Sequence, residues 1–577
     1  MNTFKKKVGN AAKKAGESKS TKVAPRRKNS RAQPKVPPVS GTVTAELTIA
    51  DLLKSLMPSC IDSRGNLAER PIWPPDAFVI AASILKRSGK YTQVITEWPP
   101  RNYTVRSWHT KTREVATSWK KAYKSSKWPA SVESWWSRAL INTARNIEEM
   151  DEATVIALVG IVAAADEACF GIGITNRASK YDRFVVHANG LLQANNSLCE
   201  KIEASRALAL PKFHNPLDGM TVRSLTHNLA LWETSEVKPI WRFAEIPTGK
   251  HGINLLVLPW PLEIAPSSFQ DAGDIKNLRF PKEFGLFRYN NVTSVPDVEK
   301  INALVDEAVR KVGRVDAIVF PELSMTPLEF DRVRRKIDIP MIIAGTGFPG
   351  AKGALGENRV AIGLRTNRSP NPDWQLKHHR WRLEAGQIKQ YGLGASLRDK
   401  KSWWEATNIK DRTCMFFGAN EWLTFCALIC EDLARQDPVS QLVRAIGPNL
   451  VIALLLDGPQ VPERWSARYS TVLADDPRSS VLTLTSAGMV DLAISQGNKG
   501  PRSVGLWKDA TSPVQPLILK DGSEGLVLCL SREFEKEWTA DGRDDGRSTG
   551  YLRLTGVHQV SDKSSGKPPP VKAKMRL

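Results

Sequence analysis

From about residue 251 onward, strand-like and helix-like segments alternate, and that alternation restricts the fold of this chain more than any other feature. NLLVLPWPLEI (254–264) reads as a strand. VEKINALVDEAVRKV (298–312) places Val298, Ile301, Leu304, Val305, Ala308, Val309 and Val312 on one helical face, with Gly313 as a stop. DAIVFPEL (316–323) and PMIIAGTGF (340–348) read as buried strands, and NRVAIGLR (358–365) and WQLKHHRW (374–381) as strands paired across a loop. LTFCALICED leads through the helix VSQLVRAIG to the strand NLVIALLLD (449–457), after which RWSARYSTVLADD, SSVLTLTSAG and SEGLVLCLS (523–531) continue as helix, strand and strand. The pattern predicts an α/β domain of roughly 280 residues.

Sites in such domains gather at the carboxyl ends of strands, and three of these segments end in reactive groups. DAIVFPE brings up Glu322, WQLK brings up Lys377, and FCALIC brings up Cys430. Singly, each has a plain explanation: a small buried hydrophobe, a loop acid, a solvated lysine. Together they supply a thiol, a carboxylate base and a fixed cation. A thiol with an unperturbed pKa of about 8.5 needs such neighbours to act as a nucleophile. The cation, with the backbone N–H after the cysteine, is suited to hold an oxyanion.

The order FPEL, then Lys377-His378-His379, then ICED resembles the carbon–nitrogen hydrolase, or nitrilase, superfamily over residues 251–535. IIAGTG followed by Asn358, RAIGPNLVIALL after the cysteine, the helix and strand ending at Gly488, and SEGLVLCLS are similar to further elements of that family. The resemblance implies an α-β-β-α sandwich with a Glu–Lys–Cys triad and no cofactor. Cys430 is then the nucleophile, Glu322 the general base, and Lys377 the oxyanion partner together with the N–H of Glu431. Glu384 is the candidate for the extra carboxylate that some members place near the triad, and Glu431 a second accessory candidate facing the pocket. Lys389, in GQIKQYGLG, rivals Lys377, which is preferred because it lies in a strand-like segment after the Asn358 strand. Cys426 lies inside the apolar run and is set aside. CEDL is also similar to the glutaminase domain of glutamine-dependent NAD synthetases, although no Ser-Gly-Gly phosphate loop follows it. Asp432 and Glu431 are expected to open the next loop and bind its backbone N–H groups. The long insert between Lys377 and Cys430, with Trp403 and Trp404, reads equally as a lid or as a surface loop. The adjacent His378 and His379 point to opposite strand faces, which argues against a shared metal ion.

The implied reaction is hydrolysis of a small-molecule amide or nitrile, or acyl transfer from it, by a homo-oligomer. The alternative is a catalytically inactive or regulatory protein, bacterial defence among its roles, in which other parts of the chain bind a partner or nucleic acid. Residues 45–240 read as a mostly α-helical domain carrying seven of the eighteen tryptophans between Trp73 and Trp136, interleaved with Lys and Arg. Tryptophan packed in a helical core is the preferred reading over a base-stacking surface. The net charge of +22 is concentrated at the ends: residues 1–41 hold twelve Lys/Arg and one acid, and residues 556–577 five and one. Both read as disordered basic tails suited at most to weak nucleic-acid contact. The apolar stretch at 155–174 contains Asp166 and Glu167 and reads as a buried helix, so no membrane span is expected. Seven scattered cysteines without a CxxC pair indicate a reducing, cytoplasmic setting with no Cys-based zinc site.

Overall fold

Period-two alternation of apolar residues sets the layers of the α/β part. In the strand Ala317–Met325, Ala317 and Val319 pack to one side while Ile318 and Phe320 pack to the other. Gly252–Val257 and Met341–Phe348 divide their side chains in the same way. The computed structural model describes residues 47–562 apart from 65–67, 126, 176–181, 217–218, 234–235, 248, 250, 291–296, 366–370, 498–499 and 545–548.

One seven-stranded sheet runs in the order Asp373–Leu376, Glu357–Leu364, Met341–Phe348, Ala317–Met325, Gly252–Val257, Gly525–Glu535, Thr549–Val560. The other runs Gln515–Ile518, Ser503–Lys508, Ser480–Leu484, Leu450–Leu454, Thr424–Ile429, Thr413–Gly418, Lys238–Phe243. Each has three parallel strands at its centre. One face of the first sheet shares a core with the second sheet, and its other face packs on the helices Val298–Val312 and Pro327–Lys336. Helix Val298–Val312 ends at Gly313 in the left-handed region, φ 79°, the stop expected from the sequence. Gln375 ties the sheets together: its amide donates to the Ala427 carbonyl at 2.9 Å and accepts the Met415 N–H at 2.8 Å.

The helices Pro74–Ser88, Val105–Ala122 and Ala130–Ala139 pack around Glu152–Ala168, which is buried along most of its length. Among the described residues no helix is long and apolar enough to cross a membrane. Trp108, Trp119 and Trp136 are fully buried, and Trp73, Trp119 and Trp128 donate their indole N–H groups to backbone carbonyls. The segment expected to be helical up to residue 240 also holds strands. Leu208–Pro211 pairs with Leu229–Trp232, and Lys238–Phe243 joins the second sheet in parallel with Thr413–Gly418. The short apolar runs LALP and LALW and the alternating KPIWRF explain this, because they find pairing partners that a helical reading does not supply.

The far end of the fold also lies later than expected. After Gly525–Glu535 the chain crosses to the helical region and returns as Thr549–Val560, antiparallel to the strand it left, with Gly525 opposite Val560. Residues 556–560 therefore belong to a strand rather than to a tail. On the crossing, Glu537 meets His214 at 2.8 Å, Trp108 Nε1 donates to Asp541 at 2.9 Å, and the fully buried Arg543 pairs with Asp166, Glu167 and Asp541. The basic segments 1–41 and 563–577 lie outside the described residues.

Candidate active site

The strand Thr424–Ile429 ends where the Cys430 N–H donates to the Leu454 carbonyl at 2.9 Å. Cys430 then turns the chain at φ 44° and ψ −107° into the helix Glu431–Ala434. A side chain at positive φ costs about 1–3 kcal/mol, and such strain persists only where the surroundings impose it. The side chain is 2% exposed and lines a cavity of about 260 Å³ with Trp381, Glu431, Asp457 and Tyr469. Cys426, by contrast, sits mid-strand opposite Phe416 and is sealed in the core.

Glu322 lies where the register between Ala317–Met325 and Met341–Phe348 breaks, between Phe320 and Met325. The break presses its backbone onto Gly345, where a Cβ would stand 2.4 Å from the Glu322 Cα. Leu323 follows at φ 50°. The Glu322 Oε1 accepts from Asn358 Nδ2 at 2.7 Å and from Lys377 Nζ at 2.8 Å, while Oε2 is buried with no hydrogen-bond partner among the described residues. Glu322 borders a second cavity, of about 350 Å³, and Trp381 and Leu456 line both cavities.

Lys377 follows directly on the strand Asp373–Leu376, and its N–H donates to the Asn358 carbonyl at 2.8 Å. Its Nζ is completely buried between Glu322 and Glu405, at 2.8 and 2.6 Å. Burial by itself disfavours the ammonium, but the two carboxylates outweigh it and hold the Lys377 pKa well above the usual lysine range. Burial raises the Glu322 pKa, with Glu405 adding to the effect and Lys377 opposing it. The Cys430 thiol is pushed well above its ordinary value by burial and then by the Glu322 charge, against the pull of Lys377. The three groups thus act on one another electrostatically, and burial favours the protonated form of the sulfur.

Asp432 acts across the site rather than on the loop that follows it. Its buried carboxylate accepts the backbone N–H groups of His378 and His379 and the His379 Nδ1, all at 3.0–3.1 Å. His378 turns the other way, its Nε2 lying 2.7 Å from the Thr413 carbonyl.

No protein-family model matches this sequence, and no curated protein does. Solved structures do match in part. Nit3 from Saccharomyces cerevisiae, described as a member of branch 10 of the nitrilase superfamily, is 12% identical with a TM-score of 0.29, covering 46% of this chain and 84% of its own. An amidase from Nesterenkonia sp. is 11% identical with a TM-score of 0.27, covering 55% and 92%. A carbon–nitrogen hydrolase from Helicobacter pylori G27 is 11% identical with a TM-score of 0.26, covering 54% and 89%. Identities and TM-scores this low decide neither the fold nor the chemistry of this chain; side-chain geometry has to carry both.

That geometry corrects the accessory assignments. Glu384 is exposed at the start of the helix Ala385–Gln390, where it pairs with Arg382 and accepts from Ser402 at 2.9 Å. Lys389, in the same helix, is exposed as well. Glu431 borders the Cys430 cavity but pairs with Arg435 at 3.0 Å. The second carboxylate at Lys377 is Glu405, which also accepts the Trp381 N–H at 3.2 Å. It comes from the insert, which is neither lid nor plain loop. Its segment Ser402–Glu405 lies in a four-stranded sheet between Arg382–Leu383 and Phe284–Tyr289. SWWE held the clue, since Trp403 and Glu405 are in strand phase and both point inward. The insert is fastened again at Tyr391, whose hydroxyl donates to Asp457 beyond the strand Leu450–Leu454.

Proposed function

We propose that this protein is a hydrolase cleaving the carbon–nitrogen bond of a small amide, or of the related nitrile, through a thioester on Cys430. The supporting observation is the buried contact of Lys377 with Glu322 and Glu405, within electrostatic reach of the Cys430 thiol. Glu322 Oε2, the oxygen that no donor occupies, takes the thiol proton as Sγ bonds to the carbonyl carbon. The oxyanion that forms is stabilised by Lys377 and by the N–H of Glu431. Its collapse breaks the carbon–nitrogen bond, and Glu322 returns the proton to the departing nitrogen. Water then attacks the thioester while Glu322 again accepts a proton. The carbon–sulfur bond breaks, the acid leaves, and the thiol regains its proton. An amine in place of water turns the second half into acyl transfer. A nitrile joins the same route after Sγ adds to its carbon, the nitrogen takes the thiol proton and one water adds to the thioimidate; the tetrahedral species so formed loses ammonia to leave the thioester. Glu405 does not touch the reacting atoms in this scheme; it holds Lys377 charged and in place.

Ammonia release from a panel of small amides by Cys430→Ala and Cys426→Ala tests the proposal. Cys430→Ala is expected to fall to background, and Cys426→Ala to keep turnover in proportion to the folded protein. Intact-mass detection of an acyl adduct should succeed only when Cys430 is present. Equal loss from the two substitutions, or turnover surviving in Cys430→Ala, removes the assignment.

A further inference from the structure

A third cavity, of about 610 Å³, lies away from the cysteine and is larger than either cavity beside it. It opens where the helical region meets the α/β part, between the helix Pro74–Ser88, the strand Leu229–Trp232 and the helix Gln441–Ile446. Its volume is within the range of about 300–1,000 Å³ usual for small-molecule sites.

The lining is polarised. Phe78, Tyr91 and Trp232, at 1%, 8% and 5% exposure, form an apolar part, while Lys86, Arg223 and Arg444 bring cations with more open side chains. The Trp232 indole N–H is buried and has no acceptor among the described residues. A buried donor without a partner is unfavourable unless something supplies an acceptor. The cations also outnumber their carboxylates. Glu233 pairs with Lys86, and a single oxygen of Asp476 serves both Arg223 and Arg444. Arg223 also donates to the Arg444 carbonyl at 2.6 Å; each guanidinium carries five donors, so these bonds still leave capacity for a further acceptor. Close by, the buried Lys212 ammonium donates to the carbonyls of Arg223 and Thr226, and burial together with the Arg223 charge draws its pKa down to about 7. An anion at the rim would relieve that repulsion.

We propose that this cavity binds a small organic anion with an apolar body, its acid group at Arg223, Arg444 and Lys86 and its body against Tyr91, Phe78 and the Trp232 indole. The ligand class is a carboxylate, sulfonate or phosphate ester on a ring or short chain, and its acceptor atom satisfies the Trp232 N–H. The site needs both halves of the chain, which gives the helical region a function of its own.

The test uses the full chain and anilinonaphthalene sulfonate, an amphipathic anion whose emission rises on entering an apolar site. Saturable binding of one probe per chain is expected. Trp232→Phe keeps the ring and removes the N–H, and Arg444→Gln keeps the length and removes the charge. Each should weaken binding about tenfold while leaving the unfolding temperature within a few degrees of the parent. Ala445→Trp should fill the cavity and abolish binding; if it fails to fold, the two milder substitutions still decide. Cys430→Ala should bind the probe as the parent does. Unchanged affinity in both milder variants, no saturable binding by the parent chain, or loss of binding in Cys430→Ala would each overturn the proposal.

Discussion

The carboxylate of Asp432, two positions after Cys430, grips the backbone N–H of His378, one position after Lys377, with each oxygen at 3.1 Å. One acid thereby fixes the turn after the thiol relative to the chain that delivers the ammonium. Asp432→Ala strips the acceptor from the buried His378 N–H, worth about 1–3 kcal/mol when orphaned, and from the half-buried His379 N–H. Urea unfolding should register that loss. Asp432→Asn keeps one acceptor oxygen and should be the milder change; the reverse order would contradict the role assigned to the carboxylate.

Glu405 raises the Glu322 pKa through its negative charge. Replacing it with a neutral group must therefore lower that pKa. Glu322 would then become a competent base at lower pH, and the acid limb of kcat/KM should move downward in Glu405→Gln. A limb that stays fixed or moves up would separate Glu405 from the base.

Lys377→Met leaves Glu322 and Glu405 buried and facing each other without a cation. Breaking a buried pair in this way typically costs about 3–5 kcal/mol. The remaining carboxylates bind protons more tightly folded than unfolded, so stability falls as pH rises and is partly regained on acidification. Denaturant midpoints across the pH range check both the size and the sign.

Gly345 has no side chain because the backbone of Glu322 crosses it, and an added Cβ would stand 2.4 Å from the Glu322 Cα. Gly345→Ala must push Glu322 aside, and displacement of a catalytic group by about an ångström costs about a hundredfold in rate. Gly386, where an added Cβ would meet nothing within 4 Å, serves as the control and should tolerate Ala without loss of turnover.

Arg543 is fully buried among Asp166, Glu167 and Asp541 and pins the crossing segment to the helical region. Arg543→Met leaves Asp166 and Asp541 without their cation and Glu167 with Arg113 alone, and a loss of about 3–5 kcal/mol is expected in thermal or denaturant unfolding. Near-parental stability would show that the seam does not depend on this cluster.

Much of the α/β layout could be read along the chain, because strands, helices and their stops are written in local periodicity. Ala317–Met325, Val298–Val312 with Gly313, and Thr424–Ile429 running into Cys430 are cases where neighbouring residues decide the element. The same locality put Lys377 and Cys430 at strand ends; Glu322, expected at an end as well, lies instead at a register break inside Ala317–Met325, because the strand resumes after it. Locality did not reveal Glu405, since the choice between Glu384 and Glu405 depends on which strand of the insert pairs with Phe284–Tyr289. Nor did it reveal the span of Asp432, the strand Lys238–Phe243 within a segment read as helical, or the return of Thr549–Val560. Periodicity fixes which face of an element is apolar, but not which distant element covers it. Burial of a charge next to its partner is settled only when the whole chain has closed, and at Lys377 that closure draws on three separate segments.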